Sequence, residues 1–135
     1  MMAHQWEDIT GQLSFLPSTG TSYERSGNDI NVRSTSDGTY RTIKANFATS
    51  ADYAYKYTCD SVTVTDGVGV IACRTATATI INATSSGRIN GSTGPIEVEF
   101  SHNPNIALLS LFCTFGTTGA GDVTYHNFRL WRKKL

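Results

Sequence analysis

The sequence has few charged residues and no excess of either sign. Asp, Glu, Lys and Arg make up 16% of its 135 residues, and 11 basic residues balance 11 acidic ones to a net charge of +0. This balance argues against nucleic acid as the main partner, because binding to a phosphate backbone uses an excess of Lys and Arg. Ser, Thr and Gly take the place of the missing charges, which favours β-structure with polar, uncharged outer faces.

Long apolar segments are also lacking. The longest apolar run, from Asn105 to Phe115, has about 11 residues and is too short to span a membrane. The segment from Met1 to Asp8 contains no apolar stretch of the kind that a secretory signal needs. We therefore expect no membrane partner and no secretion, with synthesis in the cytoplasm.

The motifs of common metal and catalytic sites are absent. The histidines show no metal-binding spacing and there is no Cys-x-x-Cys, so we predict neither a metal nor a cofactor. No Gly-x-Ser-x-Gly elbow marks a nucleophile. Cys59, Cys73 and Cys113 each lie in an apolar or strand-like segment, and we interpret them as buried free thiols.

The Asn105–Phe115 run organises the remainder of the chain. From Ala107 onward its odd positions are all apolar and its even positions mostly so, which is typical of a strand covered on both faces. Turn residues rather than helix caps flank it, with Pro104 before it and Gly116 after it. We predict that this segment is the central strand of the fold.

Most other segments alternate polar and apolar residues with a period of two, as half-buried strands do. The predicted strands are Ile9–Phe15, Ile30–Val32, Tyr40–Phe47, Ala51–Thr65, Val68–Cys73, Ala76–Ile81, Ile96–Phe100 and Asp122–Trp131. Two polar segments, Thr19–Asn28 and Asn82–Pro95, are predicted to be long loops.

Two of the predicted strands change phase along their length. Apolar residues fall on odd positions up to Cys59 and on even positions from Val62, and a second change follows Tyr125. We predict a β-bulge at each point, near Asp60-Ser61 and near His126-Asn127. The dipeptide Asp66-Gly67 predicts a tight hairpin between the two strands that flank it.

These patterns indicate an all-β protein without a helical stripe, an internal repeat or a linker. The number and spacing of the strands predict an antiparallel β-sandwich, specifically a jelly roll of about eight strands. We expect a single domain over residues 1–135, with short terminal arms.

Two groups of residues are candidates for binding or catalysis. Tyr53, Tyr55 and Tyr57 share one strand face, and could form either a platform for stacking sugar rings or part of the inner face of a sheet. Glu97 and Glu99 lie on one strand face about 7 Å apart by strand geometry, which would suit a glycoside hydrolase. Two glutamates that solvate an outer face fit the pattern better, and we predict a protein that is not an enzyme.

Two stretches carry a resemblance to a known family. The first runs from Tyr53 through Val64 to Val70, and the second, Gly121–Leu130, reads Gly-Asp-Val-Thr-Tyr-His-Asn-Phe-Arg-Leu. Together they resemble the carbohydrate-binding-module-like jelly rolls, also described as galactose-binding-like, over about residues 50 to 131. In that family an Asp before the Asn of the closing strand helps to hold calcium, whereas this chain has His126. No calcium ligand is therefore carried over.

The resemblance implies two kinds of function. Many bacteriophage tail and capsid-associated proteins contain such domains, so we predict a virion structural protein, a capsid decoration (cement) or tail component that packs on other virion proteins. A homo-oligomer is expected, with a trimer as the first guess, and Trp6, Trp131 and Arg132 are candidate contacts. The alternative is a carbohydrate-binding module that binds a glycan on the face of Tyr53, Tyr55 and Tyr57.

Overall fold

A computed structural model describes residues 5–35, 38–83, 93–116 and 119–135. Thirteen strands lie in these ranges: β1 Glu7–Asp8, β2 Phe15–Pro17, β3 Thr21–Ser26, β4 Asp29–Ser34, β5 Thr42–Asn46, β6 Tyr53–Cys59, β7 Ser61–Asp66, β8 Val70–Arg74, β9 Ile80–Ala83, β10 Ile96–Phe100, β11 Leu108–Phe112, β12 Gly121–His126 and β13 Arg129–Lys134. A single 3-10 turn, Thr10–Gln12, is the helical element of the described residues, and no helix there is long and apolar enough to cross a membrane.

The strands form two layers around one core, as the sequence predicted. One layer is a five-stranded antiparallel sheet in the order β2-β5-β11-β8-β9. The other contains two four-stranded sheets, β1-β13-β6-β10 and β3-β4-β12-β7. The predicted all-β jelly-roll architecture is confirmed.

The predicted central strand is β11. It lies in the middle of the five-stranded sheet, with β5 on one side and β8 on the other, and all five of its residues are buried. Leu109 and Leu111 face the main core, whereas Phe112 belongs to a second apolar cluster with Val70 and Ala72. Both faces of this sheet are therefore covered at its centre, which explains why the run is apolar throughout.

The predictions of a β-bulge near Asp60-Ser61 and near His126-Asn127 were wrong, because at each point the chain passes from one sheet of the second layer to the other. Asp60 separates β6 from β7, and Asn127, with φ of 52°, separates β12 from β13. The two irregularities lie side by side, because the Asp60 N–H donates to the carbonyl of His126 at 2.9 Å. The apolar residues that flank each break are all buried, Cys59 and Val62 at the first and Tyr125 and Phe128 at the second. The phase change therefore keeps the apolar side chains on one inner face through a bend of the layer.

Three local predictions were wrong. The predicted loop Thr19–Asn28 contains β3, an edge strand whose two polar faces hide its periodicity. The predicted strand Ile9–Phe15 is mostly the 3-10 turn followed by β2. The predicted strand Ala76–Ile81 is a turn that leads into β9. The other predicted loop, Asn82–Pro95, lies largely outside the described residues.

The hairpin predicted at Asp66-Gly67 is also absent. Gly67 makes a turn with φ of +84°, but β7 pairs with β12 while β8 pairs with β11 and β9. The turn therefore carries the chain from one layer to the other. All five residues of β8 are buried, so this strand needs a central position in the five-stranded sheet rather than a place beside β7.

Candidate functional site

The outer face of the five-stranded sheet is apolar around its centre, where an outer face is ordinarily polar. Phe112 lies opposite Val70, and Ser110 lies opposite Ala72, in the β11–β8 register. Phe112, Val70 and Ala72 are at most 1% exposed and pack against the half-buried Phe115. The sheet thus carries a small second core on the side that faces away from the main one.

Three aromatic rings meet at this face. The Phe112 and Phe115 rings are 5.0 Å apart between centroids, and Phe115 and Tyr40 are 5.2 Å apart, both pairs edge to face. Such contacts add about 0.5–1.5 kcal/mol to simple burial. Phe112 is fully enclosed, whereas Tyr40 is 57% exposed. The contacts therefore hold an open tyrosine ring in a fixed orientation at the surface.

Arg74 lies at the end of β8, beside these rings. It is only 8% exposed, its Nε donates to the Ser110 Oγ at 2.9 Å, and its guanidinium carbon is 5.2 Å from the centroid of the Phe112 ring. Burial lowers the pKa of the guanidinium, although an arginine remains charged at any physiological pH. No carboxylate pairs with Arg74 among the residues that the structure describes.

The turn between β8 and β9 closes one side of the site. The Thr75 N–H donates to the Thr79 carbonyl at 2.9 Å, and the Thr79 N–H donates to the Thr75 Oγ1 at 3.1 Å. Within this turn Ala78 has φ of 70°, a left-handed conformation that costs a residue with a Cβ about 1–2 kcal/mol. The hydrogen bonds of the turn hold Ala78 in this conformation beside the rings.

Together these groups line a cleft of 380 Å³. Its lining residues are Tyr40, Arg74, Ala78, Ile80, Phe112 and Phe115. This volume lies in the range of about 300–1,000 Å³ that small-molecule sites occupy, and the lining has their usual composition, mostly apolar with one polar group to fix orientation. The described lining contains no nucleophile paired with a base.

A second cleft lies at the end of the β3-β4-β12-β7 sheet. It has a volume of 420 Å³ and is lined by the ends of β4, β7 and β12 around Arg33, Asp66 and Asp122. Its charged groups already have partners within the chain, since Arg33 is 3.2 Å from Glu24 and Asp122 accepts from Asn31 at 2.8 Å. With no aromatic ring in its lining, this cleft offers less to a ligand than the first one.

The structure places the predicted tyrosine platform mostly inside the protein. Tyr55 is 3% exposed and Tyr57 is fully buried, on the inner face of β6 where they pack against Phe100 at 5.6 and 6.0 Å between ring centroids. Buried rings cannot stack on a sugar from solvent, so for these two the platform prediction is wrong and the inner-face alternative holds. Tyr53 is half-buried beneath Arg132, 4.5 Å from its guanidinium.

Trp6 and Trp131 come together on the outer face of the opposite layer, whereas Arg132, the next residue of β13, lies on the other face beside Tyr53. The Lys56 Nζ is 4.5 Å from the Trp6 ring and 5.8 Å from the Trp131 ring. The Trp131 indole N–H donates to Thr58, and the Arg132 Nε donates to Glu7 at 2.7 Å. These contacts attach β1 to β13 within one chain. The role of the three residues between chains stays a prediction.

The two glutamates of β10 lie on that same outer face. Glu97 and Glu99 are both exposed, and Glu97 accepts from the Lys56 Nζ at 2.9 Å. Neither lines the aromatic cleft. They do not form an enclosed pair of carboxylates around a binding site, so the geometry gives no support to glycoside hydrolysis.

Among the described residues, neither the cysteines nor the side chains that could bind a metal form a further site. All three cysteines are free and buried, as predicted, and burial raises the pKa of the Cys113 thiol to about 11 and those of Cys59 and Cys73 to about 12. Thiols with such pKa values are unreactive near neutral pH. Within the described ranges, no three His, Cys, Asp or Glu side chains are grouped as metal ligands.

Sequence reasoning missed Tyr40, Arg74, Phe112 and Phe115 as site residues. A usable signal was present, because a strand that is apolar on both faces needs a cover on its second face. The cover comes from Tyr40 and Phe115, which flank strands in the sequence. Their convergence depends on the placement of β8 beside β11, which the wrong hairpin prediction had excluded.

Comparison with solved structures places this architecture among carbohydrate-binding modules. No family model and no curated protein matches the chain. A family 4 module has a TM-score of 0.57 at 12% identity over 94% of this chain and 86% of its own. A family 29 module in complex with cellulohexaose has a TM-score of 0.55 at 10% identity, over 99% and 90%. A xylan-binding family 22 module from Paenibacillus barcinonensis has a TM-score of 0.50 at 10% identity, over 90% and 86%.

These likenesses confirm the predicted resemblance to galactose-binding-like jelly rolls, and they extend over nearly the whole chain. At 10 to 12% identity they show the fold alone, and they hold no indication of a virion protein. The chain has the β-jelly-roll fold of carbohydrate-binding modules.

Proposed function

We propose that the protein is a non-catalytic carbohydrate-binding domain that binds a glycan in the aromatic cleft of the five-stranded sheet. The observation that carries the proposal is the Tyr40 ring, which is 57% exposed yet held edge to face against Phe115 at the mouth of an apolar cleft. A pyranose ring has an apolar C–H face, which can pack on such a ring while its hydroxyl groups stay in water.

The fixed orientation of Tyr40 favours binding. A ligand that packs on a mobile side chain must immobilise it, at a cost of about 0.5–1.5 kcal/mol per side chain. Here the contacts among Tyr40, Phe115 and Phe112 limit that cost before the ligand arrives. The solved modules of the same fold, one of them in complex with cellulohexaose, make a glycan the first class of ligand to test.

The test is a glycan array followed by isothermal titration of the best ligands. We expect Tyr40→Ala to weaken glycan binding at least about tenfold, the effect of about 1.4 kcal/mol of lost contact, without a change in fold by circular dichroism. Tyr53→Ala is the matched control, since Tyr53 is a half-buried tyrosine on the opposite layer. Equal losses in the two variants, or no glycan binding by the unmodified protein, would contradict the proposal.

The virion role is a second proposal. One observation favours a protein contact: Leu16 of β2, an edge strand of the same five-stranded sheet, is 63% exposed. Exposed apolar side chains of this kind are common at interfaces. In this reading the protein is a homo-oligomer on a virion. Light scattering that finds a monomer at all accessible concentrations, together with no binding to purified particles, would contradict it.

A further inference from the structure

The aromatic cleft contains a buried cation for which the described part of the chain provides no anion. Arg74 is more than nine-tenths buried and lines the cleft. Its Nε donates to Ser110, and no described residue accepts from its two terminal nitrogens. A buried charge without a counter-ion is costly, and protein structures pair such charges with few exceptions.

The whole sheet around Arg74 lacks negative charge. None of the 11 acidic residues of the chain belongs to a strand of the five-stranded sheet, whereas Lys44 and Arg74 do. Lys44 lies opposite Ser110 in the β5–β11 register, on the same outer face as Arg74. The strands of this sheet therefore carry two cations and no carboxylate, although the chain as a whole has no net charge.

The geometry of Arg74 suits a planar anion. Ser110 fixes the Nε, and the Phe112 ring, 5.2 Å from the guanidinium carbon, supports the group from the side. The terminal nitrogens of an arginine form a rigid fork that matches the two oxygens of a carboxylate. A ligand carboxylate here would also lie close to the aromatic rings on which a sugar packs.

We infer that the cleft selects a glycan that contains a uronic acid, with Arg74 binding the sugar carboxylate while Tyr40 packs on a neighbouring ring. The inference rests on the proposed function and narrows it from glycans in general to acidic ones. A hydrogen bond between charged groups contributes about 1.5–3 kcal/mol, which corresponds to a preference of about tenfold to a hundredfold for the acidic sugar.

The experiment compares oligosaccharides that differ only in the carboxylate. Oligomers of β-1,4-linked glucuronic acid and cello-oligosaccharides of equal length form one such pair, and galacturonic acid oligomers and their methyl esters form another. We expect the acidic member of at least one pair to bind about tenfold or more tightly than its neutral partner. Equal binding of the two members in every pair would overturn this inference and leave the proposed function intact. Absence of binding to any glycan would overturn both.

Variants separate recognition from a merely structural role of Arg74. Arg74→Met keeps the apolar stem and removes the fork, so we expect loss of the acidic preference with an unchanged or higher melting temperature, because an unpaired buried charge disappears. Arg132→Met, which removes a cation paired with Glu7 on the opposite layer, is the matched control and should leave the preference unchanged. A lower melting temperature with an unchanged preference in Arg74→Met would show a structural role and overturn the inference.

Two further arms sharpen the assignment. Arg74→Lys keeps the charge without the fork, so it should retain only part of the preference. Sulfated oligosaccharides of matched length test whether any oxyanion is enough. Tighter binding of the sulfated form than of the uronic acid form would overturn the assignment to a carboxylate.

Discussion

The two outer faces of the sandwich combine a cation with aromatic rings in opposite ways. On the five-stranded sheet, Arg74 lies 5.2 Å from Phe112 and has no carboxylate partner among the described residues. On the opposite layer, the Lys56 Nζ is 4.5 Å from Trp6 and also 2.9 Å from Glu97. On the first face the described residues provide no carboxylate for Arg74, whereas on the second face Glu97 provides one for Lys56.

The surroundings of the two cations also differ, although both cations are mostly buried. Arg74 is 8% exposed and lines a cleft, whereas the Lys56 side chain is 15% exposed, lines neither of the two described clefts, and pairs with a carboxylate that is 59% exposed. Charge pairs in water contribute little, while a charge out of water interacts strongly with whatever reaches it. A cation beside aromatic rings is therefore not by itself a binding site. Arg74 differs from Lys56 in that it has no carboxylate partner among the described residues and lines a cleft.

The largest expected difference between the faces is in stability. Phe112→Ala should lower the free energy of unfolding by about 3–5 kcal/mol, because it leaves a cavity at the centre of the second core. Trp131→Ala on the opposite face should cost clearly less, since the Trp131 ring is half-exposed. Urea denaturation followed by circular dichroism measures both. Equal costs would show that the opposite face is packed as tightly as the five-stranded one, and the comparison would fail.

A smaller effect, and one that depends on pH, is expected at Asp8 on the opposite layer. Partial burial raises the pKa of this carboxyl, but hydrogen bonds from the Thr10 hydroxyl and backbone and from Arg129 lower it, and the net result is a pKa below the ordinary value. Because the folded-state pKa is the lower one, the stabilisation is complete above the unfolded pKa of about 3.9. It is lost as the pH falls through the folded value.

We therefore expect Asp8→Asn to cost about 1 kcal/mol at pH 7, a value reduced by the 30% exposure of the Asp8 side chain. The difference from the unmodified protein should shrink in acid. Glu24→Gln is the control, since Glu24 is 79% exposed in its pair with Arg33 and should change stability little at any pH. A cost for Asp8→Asn that grows as the pH falls would contradict the assignment.

The sequence predicted the fold well where a pattern extended over one continuous segment. The run that contains β11 indicated the central strand, and the phase changes near Asp60 and Asn127 indicated the bends of the second layer. Both signals are local. Side chains alternate between the two faces of a strand, so a shift of one residue within a segment moves all the following side chains to the other face. Edge elements such as β3 were missed because neither of their faces needs to be apolar.

The site was harder to predict, because it depends on pairing between distant segments. Tyr40, Arg74 and Phe115 come from three different parts of the chain, and only the β5-β11-β8 order brings them together. The three tyrosines of β6 gave a stronger local pattern, yet that pattern marks the inner face. Period-two spacing shows which residues share a face, but not which face meets solvent.

The smallest expected effect comes from a substitution of Glu97. It tests whether a cation without a carboxylate partner is enough for binding or whether a cleft beside the cation is also needed. Glu97→Gln removes the carboxylate beside Lys56, so the opposite face then also has an unpaired cation between aromatic rings. We expect a change in unfolding free energy below about 1 kcal/mol, because the Glu97 side chain is 59% exposed and the two indole rings remain beside Lys56.

Glu97→Gln should also create no new site for acidic oligosaccharides, as measured by titration in the Arg74→Met background, where the cleft no longer contributes. The reason is that Lys56 lines neither of the two described clefts and that its ammonium group already lies beside the Trp6 and Trp131 rings, so the described residues offer a sugar no enclosed space next to it. Binding in this double variant with the affinity of the unmodified protein would show that a missing partner is sufficient. The cleft would then not be needed for binding.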